Sequence, residues 1–121
     1  MVEEALGLVS VLFGVVGVSA VCIAVTRSGS DGRLPRDVAV GIRTRHTTAS
    51  EAAWRAGHTA ALPQVAATAW VAAATVVLAV LAQLSLGGGW GVVAGLGGMA
   101  CEVIVLVRAT MTADRAARSA S

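Results

Sequence analysis

This sequence has no lysine and little charge of any kind. Charged residues make up 13% of the 121-residue chain, against roughly 25% in soluble domains. A water-soluble fold of this length could not hide so much apolar surface, so a bilayer is the expected solvent. Cysteine is nearly missing: Cys22 and Cys101 are the only two, both within apolar runs. That excludes a disulfide framework and predicts two small buried hydrophobes. There is no CxxC, no phosphate-binding loop with its Lys and no Ser–His–Asp arrangement. The glycines lack strand-to-helix context and read as packing glycines. His46 and His58 lie far apart without other ligands at metal spacing, so no metal, cofactor or enzymatic role is expected. The acidic start, Glu3 and Glu4, is unlike the positive n-region of a secretory signal. Val21 before Cys22 argues against lipoprotein processing. The first apolar run is therefore expected to be retained.

What is present is 56% hydrophobic, with mean hydropathy +0.79, and has room for one membrane domain over residues 1–121. Residues 5–25 carry no charge and are long enough to cross about 30 Å as a helix. Residues 62–86 form a second charge-free run, with Pro63 in its first turn. The glycine turn at 87–89 leads to a third run, 90–107, which opens on Trp90 as an interfacial anchor. Gly87, Gly91 and Gly95 recur every four residues, and Gly98 follows Ala94 at the same interval. This small-xxx-small pattern predicts a helix-packing face. Residues 108–121 read as a short polar tail, a solvated helix end. The expected fold is an all-α membrane protein with three transmembrane helices.

Orientation follows from arginine. Of the nine basic residues, six lie between the first and second runs (residues 26–61) and three follow the third. The positive-inside rule predicts N-out and C-in, with 26–61 and 108–121 cytoplasmic. Gly29, Gly32 and Pro35 predict a loop after the first span. Thr48 to Glu51 reads as a capping box that starts a short interfacial helix. Trp54 on that helix is expected at the membrane–water boundary, with its N–H wet.

Val40 to His58, VGIRTRHTTASEAAWRAGH, is the most charged and least repetitive stretch. Gly41, Ile42, Arg43 and Thr44 form a GIRT motif, followed by Ser50, Glu51, Trp54 and His58 in S-E-x-x-W-x-x-x-H. With Leu34, Pro35 and Arg36 upstream and apolar spans on both sides, the chain resembles the SdpI family of bacterial membrane proteins. That family is named for an immunity protein against a secreted sporulation-delaying toxin. Asp37 stands where the family often has Asn, and Arg45 where it often has Pro. The namesake is longer, and this chain looks like its C-terminal three-helix part. The resemblance implies an inner-membrane protein with a toxin-immunity or membrane-protection role, with or without signalling to a repressor.

The residues themselves allow an ordered loop. Gly41 permits an unusual backbone path, and Arg43 can grip a carboxylate such as Glu51 or Glu102. Glu102 is the one ionisable group well inside a span, which costs roughly 2.5–3.5 kcal/mol at mid-helix. It is expected to face the bundle, either as a proton or ligand site or as half of an ion pair with Arg43, Arg45 or His58. Two functions follow. One is an SdpI-like protection protein that binds a peptide toxin, lipid or membrane partner protein through its glycine faces. The other is a small transporter or accessory subunit using Glu102 and the arginine belt, which would need a homo-oligomer. The bilayer is a partner in both. Nucleic acid is not expected, because the arginines lack interleaved aromatics or a readable motif.

Overall fold

The computed structural model describes residues 2–120. It contains α1 (Val2–Asp31), α2 (Glu51–Leu86) and α3 (Trp90–Ala120), with no strand among the described residues. All three helices are long and apolar enough to cross a membrane. Consecutive helices run antiparallel: Gly91 meets Gln83 at one end of the α2–α3 pair, and Gly57 meets Ala113 at the other. α2 is the central helix, packing most extensively on α3, then on α1, while α1 and α3 touch least.

The packing seam is built mainly from small residues, alanine with threonine, around an apolar cluster of Ala61, Val65, Ala109 and Ala113. The buried series Trp54, His58, Ala61, Val65, Thr68, Ala72, Thr75, Ala79 on α2 alternates four- and three-residue steps. That is the 3.5-residue period of left-handed coiled packing. Side chains that soluble proteins bury point outward instead: Phe13 and Trp70 are each 80% exposed. Lipid is as apolar as leucine, so burying leucine gains nothing there. Close backbone approach through small residues does. Gly98 illustrates the fit, since a Cβ there would collide with Thr75.

Several expectations need correction. The interfacial helix does not form a separate element among the described residues, because α2 runs unbroken from Glu51 through Pro63. Pro63 removes one helical hydrogen bond, which a packed membrane helix tolerates. The N-cap is Ser50, not Thr48: its hydroxyl accepts the Ala53 N–H at 3.0 Å. α1 continues six residues past the charge-free run, so Gly29 lies in helix, where its missing side chain admits the His58 ring. From 108 to 120 the chain is also helical. It buries Ala109, Ala113 and Ala117 instead of forming a solvated end. Cys101 is exposed on the outer surface and Cys22 is half-buried, both as free thiols.

The turn at the opposite end from most of the arginines is built on glycine because Gly87 and Gly88 both have positive φ (67° and 55°), a conformation costly for other residues. Gln83 ties the three helices there. Its amide donates to Glu4 at 3.3 Å, and its carbonyl oxygen accepts the Gly91 N–H at 3.3 Å.

Candidate functional site

The GIRT segment is a loop folded down onto the first turns of α2. Gly41 has φ +101°, and a Cβ there would lie 2.9 Å from the Trp54 ring and 3.0 Å from His58 Nε2. Both the backbone angle and the space therefore require glycine. Trp54 is fully buried, and its indole N–H donates to the Leu34 carbonyl at 2.8 Å. It is a loop anchor with a protein partner, not a residue with its N–H in water. His58 sits one turn on, its ring 4.3 Å from that of Trp54. Its Nδ1–H donates to the Trp54 carbonyl at 2.8 Å, and its Nε2 accepts the Ile42 N–H at 3.0 Å. That pattern selects one neutral tautomer. His58 precedes the charge-free run of α2, and burial pushes its pKa below the ordinary 6.5, partly opposed by the Trp54 carbonyl.

Threonines complete the loop. The Thr47 hydroxyl donates to the Ile42 carbonyl at 2.8 Å and accepts the Thr44 N–H at 2.8 Å. The Thr44 hydroxyl in turn accepts the Thr47 N–H at 3.1 Å. Sequence reasoning missed Thr47, which is fully buried. Nothing in its local pattern separates it from Thr48.

Arg43 grips neither Glu51 nor Glu102. Its guanidinium donates to the carbonyls of Arg36 and Val38 and lies 5.8 Å from the Trp54 ring centroid, within cation–π range. Glu51 pairs instead with Arg36 at 3.3 Å, at the surface, where such pairs contribute at most about 1 kcal/mol. On α3, Asp114 holds His46 at 2.9 Å and Arg118 at 3.0 Å. The Thr44 hydroxyl and the His46 ring bring the Asp114 pKa down to about 2. Gly41, Arg43, Thr44, Glu51, Trp54 and His58 are thus brought together, and each is engaged in holding the loop.

Glu102 lies elsewhere. It is fully buried at mid-bundle, and neither carboxylate oxygen has a hydrogen-bond partner among the described residues. The expected ion pair with Arg43, Arg45 or His58 is not formed, because those residues belong to the loop end. The register set by Gly98 against Thr75 and Gly14 against Met99 brings Glu102 within about a turn of Ser19 and Thr68. Those two share a buried hydrogen bond of 2.8 Å.

The glycines divide by use. Gly91, Gly95 and Gly98 are closed against Gln83, Val11 and Thr75 of the same chain, so they are not a free contact face. Gly87 sits in the turn. Gly97 is open, with nothing within 4 Å of a Cβ. It lines an apolar groove of about 460 Å³ on the outer side of the α2–α3 pair, with Ala74, Ala94 and Cys101. No group of three or more potential metal ligands exists among the described residues.

Three apolar helices, a locked polar loop at one end and a lone buried carboxyl define an α-helical multi-pass membrane protein. Within that class the assignment is specific. The family model of the SdpI/YfhL protein family matches residues 33–108, more than half of the 121 residues, and the chain belongs to that family. The match covers the loop, α2 and the whole apolar run of α3 (90–107), and leaves α1 outside. No curated protein and no solved structure matches the chain.

Proposed function

We propose that this chain is a bacterial inner-membrane protein, N-out and C-in, that protects the cell against a membrane-active peptide toxin. It acts as a binding protein, without catalysis, and its binding face is the outer α2–α3 groove. Family membership supports the protective role. The observation that carries the choice of face is the contrast between closed and open small residues. The motif side chains are engaged in the loop, Gly91 and Gly95 are closed within the chain, and Gly98 meets Thr75 in the lining of the groove itself, whereas Gly97 with Ala74 and Ala94 stays open. Small residues let another membrane component approach closely. Cells expressing the chain should survive a toxin that kills cells lacking it, and Gly97→Leu should remove protection at unchanged abundance. Full protection by Gly97→Leu would refute the groove as the binding face.

A second reading rests on Glu102. A buried carboxyl with no partner is a costly group that membrane proteins keep for ion or proton movement. Under this reading several copies assemble a pathway, and proton flux into liposomes disappears in Glu102→Gln. Flux that is absent from the wild type, or equal in both proteins, sinks it.

A further inference from the structure

The α2–α3 groove does not end at its apolar part. Toward the arginine end, the same helix pair presents Gln64, Arg108, Thr112 and Arg115 around a polar recess of about 340 Å³. Register places the two recesses one above the other along the same α2–α3 seam, here called the cleft. Gln64 and Val71 are seven residues apart on α2, as are Cys101, Arg108 and Arg115 on α3, and seven residues return a helix to nearly the same face.

Three observations describe what this cleft would hold. Arg108 and Arg115 are exposed, and neither guanidinium has an ion-pair or hydrogen-bond partner among the described residues. Asp114, the acid beside them in sequence, is already held by His46 and Arg118. Gln64 Oε1 is buried and lacks a donor. The cleft also changes from polar to apolar with depth. From Arg108 down to Gly97 is about 16 Å of helix, close to one leaflet's half of a roughly 30 Å hydrocarbon core.

We propose that the cleft binds one anionic phospholipid. Its phosphate lies against Arg108 and Arg115, and a headgroup hydroxyl donates to Gln64 Oε1. One acyl chain fills the apolar part over Ala74, Ala94 and Gly97. This deepens the reading of the groove as the binding face by naming the class of its occupant. An uncharged apolar peptide helix would fill the apolar part but would leave two arginines and a buried carbonyl oxygen without partners. A lipid with a phosphate and a hydroxyl meets all of them.

The test is native mass spectrometry of the full chain in mild detergent, with phosphatidylglycerol and phosphatidylcholine in competition. Wild type should retain phosphatidylglycerol preferentially. The preference should fall about thirtyfold in Arg108→Gln/Arg115→Gln, each arginine giving roughly a factor of five beside anionic lipid. Arg27→Gln/Arg45→Gln removes the same charge from exposed positions outside the cleft and should keep the preference. Gly97→Leu should lose both lipids. An equal fall in the two double variants would mean a diffuse field and overturn the site. Equally tight binding of soluble glycerol phosphate would overturn the acyl-chain part. Protection against toxin is scored separately. Phosphatidylglycerol preference lost in Arg108→Gln/Arg115→Gln with protection intact supports the lipid site and removes the lipid, though not the groove, from the protective role.

Discussion

His58 shows how one side chain can close a loop. Both ring nitrogens are in use, one donating within α2 and one accepting from the loop backbone at Ile42. Protonation would turn Nε2 into a donor facing another donor, so the folded ring is held neutral. Its pKa is lowered on folding. The unfolded state therefore takes up the proton first, and the stabilising contribution is complete above about pH 6.5 and declines as pH falls below it. Nitrogen NMR should show His58 as the Nδ1–H tautomer at pH 7 and still neutral somewhat below pH 6.5. The melting temperature in detergent should drop as pH is lowered from 7 toward 5. An Nε2–H signal at neutral pH would contradict the loop geometry. Glu102 is the opposite case: a buried side chain whose carboxylate oxygens have no hydrogen-bond partner among the described residues.

At the scale of elements, the α2–α3 pair is held by the closeness of its backbones. Gly97 and Gly98 are adjacent in sequence but differ in surroundings. A side chain at 98 would occupy the space of Thr75, whereas one at 97 would enter the open groove. Gly98→Leu should lower unfolding stability in detergent by about 1–3 kcal/mol or more through overpacking. Gly97→Leu should leave stability within about 0.5 kcal/mol of wild type. Equal losses would mean that the two faces of α3 are not distinguished as described. The start of α2 rests on a different device, the Ser50 cap, with Glu51 favourably placed in the first turn. Anionic side chains there offset the positive end of the helix dipole.

For the molecule as a whole, charge asymmetry bears on orientation. None of the nine basic residues lies near the triple-glycine turn; the end of α1, the loop, the start of α2 and the far end of α3 carry them all. In a background lacking Cys22 and Cys101, Gly89→Cys should react with an impermeant thiol reagent from outside intact cells. Asp37→Cys should react only after permeabilisation. The reverse pattern would refute the N-out, C-in orientation.

Three membrane-length helices and their family were legible from composition, apolar run length and the GIRT and S-E-x-x-W-x-x-x-H residues, because hydropathy and local motif chemistry act along the chain. Which small residues face inward was not legible. Alanine and glycine line all sides of these helices, so only packing tells Gly98, closed on Thr75, from Gly97, open to lipid. The partners of Arg43 and Glu51, and the lack of one for Glu102 among the described residues, were likewise settled by folding. The loop turns back at Gly41 onto Trp54, giving Arg43 backbone carbonyls to grip and leaving Glu102 buried in the bundle with no arginine paired to it among the described residues.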